Sequence, residues 1–195
     1  MSEPAPRNVD VRVGSSTDAL TPVPGARRSL HARTQQWIGL LAIALAALAG
    51  DQLTKHIVSS HLSLNAERHV AGPLSIHHVQ NSGIAFGLFA SATFGVIVLT
   101  TVAVGWMLVF FARSGSRHPV LPVALGLVIG GSISNLVDRV RLGRVTDFLD
   151  VASWPAFNLA DSFIVVGVGI LLAALVAADR DPRRSRRVGD ATARS

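Results

Sequence analysis

Four long apolar runs separated by short polar segments constrain this chain more than any other feature. The first opens at Trp37 as WIGLLAIALAALAG and continues through DQLTKHIV to about Ser59; the others cover about 91–112, 119–138 and 158–178. A helix rises about 1.5 Å per residue, so about 20 residues cross a hydrocarbon core of about 30 Å. Each run is long enough to be a spanning helix. With 49% hydrophobic and 15% charged residues in 195, the chain is too apolar for an ordinary soluble domain, and the expected class is an all-α polytopic membrane protein. The first run carries no small-residue cleavage site at its end and leads into Asp51 and Lys55, so it reads as a span rather than a cleaved leader.

Charge is segregated along the sequence. Residues 1–36 are rich in Pro, Ser, Thr and Arg without apolar periodicity, and are expected to form a disordered extension. Residues 179–195 form a basic tail. The formal charge of +6 is of the sign that nucleic acid attracts, but neither arginine cluster is interleaved with aromatics, and no nucleic-acid partner is expected. Four spans put both termini on one side. There the arginines of both tails join Arg113 and Arg117, and together they far outnumber Arg68, Arg139, Arg141 and Arg144 opposite. By the positive-inside rule the termini are cytoplasmic, and Asp51, Asp138, Asp147 and Asp161 lie near the outer face. The chain has no cysteine, which excludes disulfides, thiolate metal sites and a cysteine nucleophile.

The polar residues at membrane depth carry the chemistry. Asp51 and Lys55 are four apart and share a helix face, where they can pair, although an interfacial Asp beside a snorkelling Lys has the same signature. Between the first and second spans, Gly72-Pro73 and the alternation in LSIHHVQ suggest short strands, followed by a re-entrant or interfacial piece, NSGIAFGLFA. Asn81 and Gly83 at its bend could present amide groups to a peptide or form only a turn. The third span is rich in glycine at 126, 130 and 131, which lets neighbouring helices approach closely.

The stretch from Gly130 to Asp161 concentrates most of these groups. Asn135 and Asp138 sit three apart on the third span and Asn158 and Asp161 three apart on the fourth, each pair on one helix face at the outer level, with Asp147 in the link between them. Carboxylates at the mouths of apolar helices are costly and therefore candidates for function, though each could also be a helix cap or a solvated loop charge. Two carboxylates held close together cannot both ionise easily, which suits peptide hydrolysis by a charged and a protonated Asp. The histidines at 56, 61, 69, 77 and 78 lie away from this stretch and read as surface or interfacial residues. A proton-coupled transporter would also place Asp and Asn between helices, but with carboxylates distributed through the membrane depth. A divalent-metal-binding membrane protein could use Asp138, Asp147 and Asp161 as oxygen ligands.

DQLTK (51–55), NSGIAFGLF (81–89), GGSISNLVDRVRLGRVTDF (130–148) and FNLADSF (157–163) resemble, in order and spacing, the motifs of lipoprotein signal peptidase, or signal peptidase II. The resemblance covers about 37–178, and four motifs in order make it specific. It implies a bacterial inner-membrane aspartic endopeptidase that removes the signal peptide from prolipoproteins just before a cysteine already carrying a diacylglyceryl group. It further implies four helices with a small extracytoplasmic β-rich cradle, here about 62–90. The family's catalytic aspartates match Asp147 and Asp161. Asp51, Lys55, Asn81, Gly83, Asn135, Asp138, Arg139 and Asn158 would be supporting or substrate-contacting residues. No cofactor and no metal are implied; the partners would be lipid-modified prolipoproteins and membrane lipids, and a monomer is expected. One departure is Ser134, where the family usually has Gly, a change that bears on close helix packing.

Overall fold

The computed structural model describes residues 24–82, 93–114 and 119–179. Along the chain run α1 (Pro24–His61), β1 (Glu67–Ala71), β2 (Leu74–Asn81), α2 (Thr93–Ser114), α3 (Leu121–Leu142), β3 (Val145–Val151), β4 (Trp154–Phe157) and α4 (Leu159–Asp179). All four helices contain a stretch long and apolar enough to cross a membrane: 32–61 in α1, 93–113 in α2, 121–142 in α3 and 159–177 in α4. The chain is a multi-pass membrane protein with a small antiparallel sheet.

Helix α3 is the centre of the bundle. Of its most apolar window 61% is buried by the rest of the protein, against 22% for α1 and 11% for α2 and α4. Two adjacent glycines explain how it holds a helix on either side. A Cβ on Gly130 would collide with the backbone oxygen of Ala44 in α1, and one on Gly131 would lie 2.5 Å from the backbone oxygen of Ala160 in α4. Consecutive helical residues point about 100° apart, so this one dipeptide opens two faces to backbone contact. Helix α2 is anchored mainly at its C-terminal end, where Phe111 meets Trp37 edge-to-face with ring centroids 4.8 Å apart. Nearby, Arg33 Nη2 donates to the Ala112 carbonyl at 3.0 Å, satisfying one of the acceptors that a helix end leaves open. Leu40, Ala44, Val104, Phe111, Leu125 and Ile129 form the apolar core at this end.

The sheet has the order β1-β2-β3-β4, antiparallel throughout. It corrects the cradle expected over 62–90, because half of its strands come from the link between α3 and α4. The strand β3 lies in the segment expected to be only a link; its Val145, Thr146, Asp147 and Phe148 are all buried. A strand covered on both faces shows no polar–apolar alternation. Ala152 turns the β3–β4 hairpin with φ 51°, and its N–H donates to the Pro73 carbonyl at 2.9 Å, tying this hairpin to the one formed by β1 and β2.

Two further expectations are corrected. Helix α1 begins at Pro24, not at Trp37, so 24–36 belong to a helix rather than to a disordered extension. Proline is favoured in a first helical turn, and the segment from Ala26 to Gln36 contains no further Pro or Gly. His78, read as a surface or interfacial residue, is buried. Its Nδ1 lies 2.8 Å from the Leu62 carbonyl, and a bulge between Ile76 and Val79 accompanies this inward turn. Gly83, most of the NSGIAFGLFA segment and both chain tails, 1–23 and 180–195, lie outside the described residues.

Candidate active site

The polar residues meet at one end of the bundle, at the C-terminal ends of α1 and α3, the N-terminal end of α4 and the buried strand β3. Asp161 enters this cluster through the start of α4. Asn158 precedes the helix and accepts from the Asp161 N–H through Oδ1 at 3.0 Å, while Asp161 Oδ2 accepts from the Asn158 N–H at 3.3 Å. This reciprocal pair is a capping box built from Asn and Asp, and it fixes the Asp161 rotamer by the same bonds that start the helix. Its other oxygen, Oδ1, accepts from Asn135 Nδ2 at 2.8 Å.

Asp147 arrives from β3, opposite Val79 in the β2–β3 register. Its Oδ1 accepts from Asn158 Nδ2 at 2.6 Å and its Oδ2 from Asn81 Nδ2 at 3.1 Å. Asn158 therefore touches both carboxylates. Its amide nitrogen also donates to Asn135 Oδ1 at 3.2 Å, so three asparagines form a scaffold around two acids. Burial pushes the Asp147 carboxyl up to about 6; the Asp161 charge adds to this, and the hydrogen bonds from Asn81 and Asn158 and the Lys55 charge oppose it.

Asp51, Lys55 and Asp138 form a second buried group behind this pair. Lys55 Nζ lies 2.6 Å from Asp51 Oδ2 and 2.9 Å from Asp138 Oδ2, and it donates to Asn135 Oδ1 at 2.9 Å. The i,i+4 pair expected on α1 is thus present, and it is buried rather than interfacial. Asn135 and Asp138 do share a helix face, but Asp138 turns to Lys55 while Asn135 reaches Asp161. The ammonium sits between Asp51 and Asp138. Among the described residues no group of three or more His, Cys, Asp or Glu is arranged to hold a metal ion.

A cavity of about 710 Å³ opens onto the two carboxylates. Asn81, Asn135, Arg139, Asp147 and Asp161 form its polar wall. Arg139 is held over α3 by donation from Nη1 to the Asn135 carbonyl at 3.2 Å. Most of the remaining wall is apolar, with Val96 of α2, Phe157 of β4, and Ile164 and Val165 of α4 among its residues, and Thr100, Ser132 and Ser162 add hydroxyls. Val165 is 70% exposed, so this wall reaches the surface that α4 turns to lipid.

Gln52 and Ser134 carry bonds here that their place in the sequence does not announce. Ser134 is fully buried; its hydroxyl donates to Asp51 Oδ2 at 2.7 Å and accepts from Gln52 Nε2 at 3.0 Å. Gln52 Nε2 also reaches Asp138 Oδ1 at 2.8 Å. Gln52 follows Asp51 within DQLTK and Ser134 precedes Asn135, so the only signal available was adjacency to residues already singled out.

The model of the family described as signal peptidase (SPase) II matches residues 43–177. The lipoprotein signal peptidase of Symbiobacterium thermophilum is 38% identical over 146 residues, 72% of this chain and 95% of that protein. The lipoprotein signal peptidase of Syntrophotalea carbinolica is 44% identical over 143 residues, 69% of this chain and 89% of the relative. In three dimensions the fold is similar to a bacterial membrane enzyme solved by the in meso method at 2.3 Å resolution. That match has a TM-score of 0.68 and 26% identity over 73% of this chain and 92% of the other. Asp51, Lys55, Asn135, Asp138, Asp147, Asn158 and Asp161 all lie within the matched span, and the chain belongs to the signal peptidase II family, a family of membrane-embedded peptidases.

Proposed function

We propose that the chain is the aspartic endopeptidase that removes signal peptides from diacylglyceryl-modified prolipoproteins, cutting just before the lipidated cysteine, with Asp147 and Asp161 as its catalytic pair. The observation that carries this reading is Asn158, whose side-chain amide donates to the Asp147 carboxylate and whose backbone N–H donates to the Asp161 carboxylate, at one cavity. In that arrangement the charged Asp takes a proton from water, and the protonated Asp donates a hydrogen bond to the scissile carbonyl as the tetrahedral oxygen gains charge. The proton then passes to the leaving amine, returning the pair to one proton shared between two acids. Asn81, Asn135 and Asn158 hold the acceptors in place, and Arg139 offers a fixed cation at the polar wall for a backbone carbonyl or headgroup oxygen of the substrate.

The apolar wall suits a substrate that arrives within the bilayer. Val165 and Ile164 face lipid and cavity together, so an acyl chain can remain in apolar surroundings while the peptide bond beside it reaches the carboxylates. A transporter would need charges along its path, whereas past Asp161 and up to Asp179 α4 carries none, and α2 carries none before Arg113. The arginine asymmetry supports cytoplasmic termini, an extracytoplasmic site and, with one chain supplying both acids, a working monomer. A reporter after Ser195 should report cytoplasm, and one near Glu67 the outer side.

Incubating the purified protein with a lipidated and an unlipidated prolipoprotein and measuring the product masses tests the reading. Cleavage of the lipidated form alone, at the bond before its cysteine, is expected. Cleavage of neither form removes the proposal.

A further inference from the structure

The two carboxylates of the proposed pair do not stand alone; each follows a backbone N–H that a second carboxylate holds. The Ala160 N–H, one residue before Asp161, donates to Asp51 Oδ1 at 2.9 Å. The Thr146 N–H, one residue before Asp147, donates to Asp138 Oδ2 at 3.3 Å. The gripping acids are linked to each other twice. Lys55 bridges them at 2.6 and 2.9 Å. A second, neutral link runs from Asp138 to Gln52 to the Ser134 hydroxyl to Asp51, at 2.8, 3.0 and 2.7 Å.

We infer that Asp51 and Asp138, closed into a ring by Lys55, Gln52 and Ser134, are positioning residues that set the separation of Asp147 and Asp161 through the Ala160 and Thr146 amides. The inference rests on the catalytic pair proposed above and adds to it what fixes the distance between its members. Asp147 and Asp161 come from different elements, a strand and a helix, so their spacing is not an intrinsic property of either. Each element is held at the residue preceding its acid by a buried, charge-assisted hydrogen bond, which leaves little room for that residue to move.

Neutral substitutions read the spacing without changing any charge. In Ser134→Ala and Gln52→Leu the charges that face the pair remain: Asp51 and Lys55 from α1, and Asp138 and Arg139 from α3. Loosening the ring lets the two acids move apart, which weakens their repulsion and draws the two apparent pKa values of kcat together. For the full-length enzyme with a lipidated prolipoprotein, kcat should fall about tenfold with KM within about twofold, the range for groups that support an active site from behind. The limbs of the pH profile should close by roughly 0.5 unit. If Ser134→Ala does not fold, Gln52→Leu and Ser134→Gly make the same measurement. Limbs at the wild-type separation in the folded variants overturn the inference, even if melting temperature or kcat falls. Asp147→Asn and Asp161→Asn run alongside: wild-type cleavage by either overturns the catalytic assignment. Inactive dyad variants together with unmoved limbs overturn only the positioning role.

Discussion

The two ends of the helix bundle are built on opposite principles although they share α1 and α3. At the end near Trp37 and Phe111, Leu40, Ala44, Leu125 and Ile129 pack without directional bonds. At the other end Asp51, Lys55, Asn135, Asp138 and Asn158 are equally buried, and each is held by hydrogen bonds or ion pairs. Apolar packing degrades gradually when altered. A buried polar network does not, because removing one member leaves another without its partner. The contrast locates stability that tolerates change at one end and geometry that does not at the other.

The sharpest way to exploit the contrast is to alter the proposed pair without altering shape. Asp147→Asn and Asp161→Asn should each insert normally yet lose about 10³-fold or more of single-turnover cleavage, and the double variant should be scarcely worse. Asp138→Asn should lose rate only in part, since an amide oxygen can still accept from Thr146. Abolished cleavage in well-folded Asp138→Asn with activity kept in Asp147→Asn would mean that the wrong acids have been assigned.

Lys55→Met should break the polar end itself. It leaves Asp51 and Asp138 buried without the ammonium between them, a loss of about 3–5 kcal/mol seen as reduced folded yield. Adding Asp51→Ala should restore part of that yield, and a double variant no better than the single would show that the pair is not coupled. At the apolar end Leu40→Ala should cost less, roughly 1–3 kcal/mol from the cavity it leaves, because lipid removes most of the transfer contribution. Its kcat should be unchanged; a drop comparable to that of the ring variants would show that the two ends are mechanically one.

The smallest effect expected is in pH. An acid whose folded pKa is raised binds its proton more tightly when folded, so its contribution to stability is full below the unfolded value of 3.8 and is lost as pH rises through about 6. The wild type should therefore lose a few degrees of denaturation temperature across that window relative to Asp147→Asn. An equal slope for both proteins would remove Asp147 as the source.

Much of this was readable from residue spacing. The four spans followed from length and apolarity, and the pairing of Asp51 with Lys55 from a four-residue interval on one helix face. The glycines at 130 and 131 announced close packing, though not that each serves a different neighbour. What could not be read was contact between elements distant in sequence. β3 hides because burial on both faces removes its alternation, and the ring through Gln52 and Ser134 hides because a glutamine and a serine at a helix face look like ordinary polar residues. The carboxylates were visible one by one, whereas the amides they grip, at Thr146 and Ala160, carry no side-chain signal at all.

The bond from the Ala160 N–H to Asp51 also bears on how the protein is made. Asp51 enters the membrane with the first helix, its lysine one turn further on, and Asp51 waits through the synthesis of more than half the chain for its last partner. Helix α3 supplies Asp138, Asn135 and Ser134, but the second oxygen of Asp51 is satisfied only when the start of α4 docks. Biosynthesis therefore closes the network and delivers Asp161 in the same event. A nascent chain halted before α4 holds a half-satisfied acid in the bilayer and lacks one member of the proposed pair, so proteolytic competence and the completion of folding coincide in the final helix.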